Sequence, residues 1–220
     1  QDTFININED VNVASDRLHT YTWPTNMPAN AVLIKFDLAL LPKDAQIQSA
    51  TLNLYQIEAG GDASYDVSVH KIINHNSNLQ YSNGYTFNGI DNWTANNNCY
   101  KSIPLGQADI VPAEDVNSLD QSLGYKTWDV TNMVQDWVSD SAANFGLLLN
   151  SDAVASADSY RFFAASEAND ADLRPSLEIK YTFDSYSMVF GNYPGADFPG
   201  TVQDTFININ EDVNVASDRL

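Results

Sequence analysis

The first 18 residues, Gln1 to Leu18, return without a change as Gln203 to Leu220. A strand that only had to be amphipathic would tolerate drift at most of those positions, so identity along the whole stretch marks one unit of a longer periodic object. The period is 203 minus 1, or 202 residues: the chain holds one repeat, 1–202, and the opening of the next. Charge is therefore read per repeat. Without Asp204, Glu211, Asp212, Asp218 and Arg219, which double-count the first copy, the 29 acidic and 10 basic residues become 25 and 9, a net charge near −16 against −19 for the chain. Such a polyanion repels phosphate backbones and anionic lipid, which argues against nucleic acid and membrane surfaces as partners. No apolar run approaches the roughly 20 residues that cross a bilayer, so membrane insertion is not expected.

Between the two copies the dominant pattern is short apolar runs separated by turn residues. Val32–Leu38 alternates from Ile34 onward and ends at Leu41-Pro42-Lys43-Asp44. Ile47–Ile57 sets Ile47, Ser49, Thr51, Asn53 and Tyr55 on one face and Ala50, Leu52 and Leu54 on the other; these two segments read as adjacent strands. Further strands are predicted at Tyr65–Ile73, Tyr125–Val130, Phe145–Asn150, Tyr160–Ala165 and Ser176–Phe183. One helix interrupts them: Asp129 or Thr131 caps it, and Met133, Val134, Trp137 and Val138 share one face, which must pack on the sheets because two turns do not stand alone in water. The expected fold is all-β, a jelly-roll-like antiparallel β-sandwich with one short helix, repeated head to tail. The expected divisions are a sandwich domain at 1–183, an ordered connector at 184–202 and the next repeat's first strand at 203–220.

The ordered series Asp2-Thr3-Phe4-Ile5, Lys35-Phe36-Asp37-Leu38, Ile47 to Tyr55, Trp128-Asp129-Val130-Thr131, Asn144 to Leu149, Phe163 to Ala168 and Arg174 to Ile179 resembles the DNRLRE-domain family over residues 1 to about 183. That family overlaps carbohydrate-binding module family ninety-six. The resemblance implies a β-sandwich, a place in large repetitive surface proteins of bacteria and archaea, and for some members an association with polysaccharide-degrading enzymes. The six-residue motif that gives the family its name is not intact: Ser15-Asp16-Arg17-Leu18-His19 keeps part of it, and no binding role is carried over from that stretch.

Candidate sites follow from side-chain chemistry. Between His75 and Ile110 aromatics alternate with amides, and Tyr81, Tyr85, Phe87, Trp93 and Tyr100, with Trp23 upstream, suit a glycan, because rings cover sugar C–H groups while amides reach hydroxyls. The same rings would equally serve as the loop's own small core or bury against a neighbouring repeat. Aspartates and asparagines at turns make calcium a candidate ligand, with Asp10 and Asp16 as the leading suppliers and Asp62, Asp66, Asn169, Asp170 and Asp172 as others; the competing reading is that these side chains bond their own turns. No other cofactor is expected. His19, His70 and His75 lack metal-pair spacing and there is no Gly-x-Ser-x-Gly elbow or phosphate loop, so no enzymatic activity is expected. Cys99 is alone, which leaves it buried as a small apolar residue or paired between chains.

The assembly reading rests on the repeated strand. Phe4, Ile5 and Ile7 belong in a sheet, their copies Phe206, Ile207 and Ile209 want an identical slot, and one domain offers that slot once. Between them lie 184–202, where Tyr186, Met188 and Phe190 alternate and Tyr193 and Phe198 accompany two prolines. Extended, the segment reaches about 60 Å, more than the roughly 40 Å diameter of a domain of this size. Its aromatics predict docking across the junction. The expected function is a structural repeat of an extracellular filament or cell-surface stalk whose partner is itself, head to tail; the alternative is a repeated carbohydrate-binding module that recognises a polysaccharide.

Overall fold

Ala31-Val32-Leu33-Ile34 and Leu147-Leu148-Leu149 carry apolar side chains at consecutive positions, and such strands must bury both faces. In the computed structural model they form the middle of a sheet that does so. Residues 1–8, 15–24 and 27–182 are described in full, and 190–191 and 198–199 by their main chain. The chain divides into two compact units, Gln1–Phe183 and Asp184–Leu220. In the second, Phe190–Gly191 and Phe198–Pro199 pair in parallel. Tyr186, Met188, Tyr193, Phe206, Ile207 and Ile209 lie outside the described residues.

The first unit is an antiparallel β-sandwich with one short helix. Its elements are β1 (Asp2–Asn6), β2 (Arg17–Trp23), β3 (Met27–Pro28), β4 (Asn30–Ile34), β5 (Gln46–Gly60), β6 (Tyr65–Lys71), β7 (Asp115–Leu119), β8 (Gly124–Asp129), α1 (Thr131–Ser139), β9 (Leu147–Asn150), β10 (Ser159–Ala164) and β11 (Ser176–Thr182). One sheet has the order β1-β4-β9-β6-β7; the other runs β11-β5-β10-β2-β3, with β8 also paired to β5. Phe4, Val32, Ile34, Leu52, Leu54, Val67, Val69, Trp128, Leu149 and Phe163 meet between the sheets. A second core lies on the other face of the first sheet, where Ile5, Ile7, Ala31, Leu33 and Leu148 are covered by Leu79, Trp93, Ile103 and Leu105 of the long 72–110 segment.

β4 and β5 are not adjacent, contrary to the sequence expectation. Both edges of β4 are taken by β1 and β9, so the turns at 38–45 carry the chain across the sandwich, and the two strands face each other through Val32, Ile34, Leu52 and Leu54. The helix presents the expected face, with Met133, Val134, Trp137 and Val138 buried. Its capping differs. Val130 stands at the N-cap with no side-chain bond. Asp129 Oδ1 accepts from the Thr131 main-chain N–H at 3.0 Å, while the next two amides, of Asn132 and Met133, donate to the Glu114 carboxylate at 2.7 and 2.9 Å. Asp129, one of the expected caps, thus shares the capping with a carboxylate 18 residues upstream of Asn132, on the end of the helix where the dipole favours negative charge.

The turns use the chain's amides and carboxylates as local acceptors. Asn78, Asn83, Asn88, Asn96, Asp120, Asp152 and Asp170 each accept the main-chain N–H two residues on, which is how an Asx side chain stands in for a backbone turn.

Two strands are inverted relative to ordinary amphipathic order. On β2 and β10 the side chains facing the other sheet include Thr20, Thr22, Ser159 and Arg161, each fully buried. Arg161 lies over the Tyr65 ring with its guanidinium carbon 5.2 Å from the centroid. Its Nε donates to Asp120 O at 2.8 Å, Nη1 to Tyr160 O at 2.8 Å and Gly60 O at 3.1 Å, and Nη2 to Asp62 O at 2.8 Å and Leu119 O at 3.0 Å. One cation thereby satisfies carbonyls from the β5–β6 turn, the end of β7 and β10, groups that burial would otherwise leave unpaired. Arg161→Ala should lower the unfolding free energy in urea by more than about 3 kcal/mol, because several carbonyls lose their donor together; a loss under about 1 kcal/mol would show that water replaces the guanidinium.

Candidate functional site

The strand that the chain repeats is covered on both faces and paired along one edge. β1 pairs with β4 in the register Asp2↔Ile34 to Asn6↔Asn30. Phe4 points into the sandwich, and Ile5 and Ile7 point into the second core; all three are buried. The Asp2 carboxylate accepts from Ser166 N at 3.2 Å, and burial raises its pKa against that hydrogen bond. Over the strand lies Gly84: a Cβ there would come within 2.4 Å of Asn6 O, so the 72–110 segment rests on β1 main chain to main chain, which only glycine permits.

That segment sorts the sequence-predicted glycan residues. Trp93 is buried in the second core and donates from Nε1 to Asn83 O at 3.0 Å. Phe87 is half-buried, stacked on His75 at 4.4 Å and edge-on to Trp93 at 5.9 Å. Asp109, fully buried, accepts from Thr94 N at 2.7 Å, Thr94 Oγ1 at 2.6 Å and Asn74 Nδ2 at 3.3 Å, pinning the two ends of the segment to each other. His75 Nε2 is 3.7 Å from the same carboxylate. The three groups do not form a relay, since the threonine hydroxyl is committed to Asp109 and both approach the same ring nitrogen of His75. Tyr81 and Tyr85 are exposed, and among the described residues no ring stacks on either.

Trp23 and Tyr100 belong to a different arrangement, one that sequence reading missed. Because β2 and β10 turn their polar residues inward, His19, Tyr21, Trp23, Tyr160 and Phe162 lie on the opposite, outward side, and the register places Tyr160 opposite Tyr21 and Phe162 opposite His19. The rings form a continuous row. Phe4 and His19 stack at 4.2 Å, His19 and Phe162 at 3.9 Å, Phe162 and Tyr160 at 4.5 Å, and Tyr160 and Tyr21 at 5.7 Å. Tyr21 continues to Trp23 at 6.1 Å, and Trp23 stacks on Tyr100 at 5.9 Å. From His19 to Tyr100 every ring is partly exposed. Glu58 and Gly60 of β5 border the row, opposite Phe162 and Tyr160. A Cβ at Gly60 would fall 2.6 Å from the Tyr160 ring, so the glycine lets that ring lie flat. Polar groups stand alongside: Arg17 donates to Glu58 at 2.7 Å, and burial together with the Asp158 carboxylate raises the Tyr21 phenol. The signal was the alternation His19-Thr20-Tyr21-Thr22-Trp23 against Ser159-Tyr160-Arg161-Phe162, legible once the polar set is read as the buried one.

For cations, Asp10 lies outside the described residues and Asp16 is exposed beside Arg17. Asp62 accepts from Ser156 N at 2.6 Å and its hydroxyl at 2.8 Å, and Asp66 accepts from the Ser118 hydroxyl. Among the described residues no three His, Cys, Asp or Glu side chains gather to hold a metal, and no helix is long and apolar enough to cross a membrane. Cys99 is buried against Pro104 O at 3.4 Å, and burial pushes its thiol up to about 11. No protein-family model matches the chain, and no curated protein matches it.

Burial between two rings holds the His19 imidazole at about 4, well below its ordinary 6.5. A folded-state value below the unfolded one means that the unfolded chain takes up the proton first, so this stability is fully present above pH 6.5 and is lost as the pH falls toward 4. Burial also lowers the pKa of His70, which adds in the same direction. His19→Phe should keep the ring row and flatten the decline in melting temperature between pH 6.5 and 4; a slope equal to that of the unsubstituted chain would show that His19 is protonated freely.

Proposed function

We propose that the chain is a structural repeat of an extracellular filament or cell-surface stalk, in which the duplicated segment supplies the first strand of the next β-sandwich. One observation carries this reading: β1 is buried on both faces and already fills the slot beside β4 in its own domain. Phe4, Ile5 and Ile7 each gain roughly 1.5–3 kcal/mol on burial, so an identical segment without a slot forgoes on the order of 6 kcal/mol. That loss favours exchange into a second copy of the domain, where the segment takes the place of that copy's own β1 and main-chain bonds along β4 fix the register and direction of the joint. A net charge near −16 per repeat, 25 acidic against 9 basic residues, keeps such a polymer from clumping sideways. The likeness to the DNRLRE-domain family, with its repetitive surface proteins, agrees with the proposal. Sedimentation of the full chain should show concentration-dependent end-to-end association, and a chain ending at Val202 should stay monomeric. Equal behaviour of the two would overturn the reading.

The ring row favours a second role, as a repeated polysaccharide-binding module. Tyr21, Trp23, Tyr100, Tyr160 and Phe162 offer an extended aromatic face with Glu58, Arg17 and Asp158 beside it to meet hydroxyls. Repetition along a filament would multiply the weak contacts of single domains. In affinity electrophoresis through a panel of acidic and neutral polysaccharides, Tyr21→Ala and Tyr160→Ala should each weaken retention about fivefold, as loss of about 1 kcal/mol of ring contact does. Trp93→Ala, by contrast, should act through stability alone. Retention unchanged in both tyrosine variants would remove this second role.

A further inference from the structure

Beyond the end of β1 lies a cleft of about 720 Å³, lined by Gln1, Lys35 to Ala39, Leu41, Lys43, Asn76, Trp137, Val138 and residues of the 141–144 turn. It continues the β1 slot. Gln1 and Lys35 exchange both main-chain bonds, Gln1 N to Lys35 O at 3.0 Å and Lys35 N to Gln1 O at 2.9 Å. In an antiparallel ladder such pairs alternate, so the next residues able to exchange bonds are Asp37 and the one two places ahead of Gln1. Among the described residues nothing bonds the N–H or C=O of Asp37, whereas Phe36 O turns the other way to accept from Asn144 Nδ2 at 3.0 Å. Trp137 is 1 % exposed, and its Nε1 has no acceptor among the described residues. The cleft therefore borders a stretch of sheet edge at Asp37 that lacks a partner among the described residues.

We infer that the cleft is filled by Gly200-Thr201-Val202 of a second copy, arriving ahead of that copy's repeated strand, which stands in the place of β1. The inference rests on the assembly reading above and adds what joins the strand to its connector. Since Gln203 restates Gln1, the residues that precede a seated copy of the strand are fixed: Val202, Thr201 and Gly200. Carried on in the same register, Val202 falls opposite Phe36, Thr201 opposite Asp37 and Gly200 opposite Leu38. Val202 then shares the face of Asp2 and Phe4, beside Phe36, which packs against the sandwich core that contains Trp137 and Val138. Thr201 supplies the N–H and C=O that Asp37 lacks. Pro199 follows at the next bonding position, and having no N–H it ends the ladder there. The charge also matches: 184–202 contains Asp184 and Asp197 and no Lys or Arg, and the cleft carries Lys35 and Lys43 in a chain with only 10 basic residues.

The test restates Asp-Phe-Pro-Gly-Thr-Val, the sequence of 197–202, ahead of Gln1 in the full chain, beside a Gly/Ser extension of equal length. Hydrogen exchange at the Asp37 amide should slow at least about tenfold relative to the Gly/Ser control. The melting temperature should rise by roughly 3 °C. Replacing the last valine of the extension with aspartate should abolish both gains. Exchange at Asp37 equal to that of the Gly/Ser control would overturn the inference. Because the extension acts within one chain, its failure while the full chain still associates would sink this inference alone; filling of the cleft without association would sink only the assembly reading.

Discussion

In the five-stranded sheet β1, β4 and β9 carry apolar side chains on both faces, and these strands therefore need two coverings. The six-stranded sheet supplies one. The other is the 72–110 segment, which contains little regular structure and must nevertheless hold its rings against Ile5, Leu33 and Leu148. Order in such a segment has to come from polar side chains, because no ladder provides it. Asp109 clamps its ends through Thr94 and Asn74, Asn83 bonds the two amides that follow and receives Trp93 Nε1 on its carbonyl, and Gly84 lets the segment sit on β1. Much of the amide content between His75 and Ile110 is thereby accounted for as scaffold for a second core.

The same two-sided burial explains which parts of the fold were legible from sequence. Strands with one face open, such as β5 with Ala50, Leu52 and Leu54 inward, announce themselves by alternation. The helix does so by the spacing of Met133, Val134, Trp137 and Val138. β4 does not, because all five of its residues are buried, and without an outward face its partner cannot be inferred; the neighbour chosen from chain order was in the other sheet. β2 escaped for the opposite reason, and β10, although expected as a strand at Tyr160–Ala165, was not read for the face it buries. Their buried faces are polar and stay buried only because Arg161 and the threonines find acceptors on distant segments, which no local window reveals. The ring row was lost with them: Trp23 and Tyr100 stood out as aromatics near amides, but Tyr21, Tyr160 and Phe162 acquire meaning only through the β2–β10 register.

Burial on two faces also bears on why the repeated segment is copied without a change. A strand with one open face tolerates substitution on that face. β1 has no such freedom over Thr3-Phe4-Ile5, since all three side chains are buried, Phe4 on one face and Thr3 and Ile5 on the other, and Asn6 is overlain by Gly84 and bonds the Asn8 amide at 2.7 Å. The identity extends beyond the strand, however. Arg17 and Leu18 open β2 in the other sheet, Leu18 is buried between the sheets, and Asp16 O accepts from Ala165 N at 3.0 Å. A segment lent only to complete an edge would have no use for residues that belong to the opposite layer. Under the assembly proposal the copy is thus better understood as the opening of a whole domain, bringing a strand for one sheet and the first residues of a strand for the other, so that the joint between repeats is made by folding and not by docking of finished surfaces.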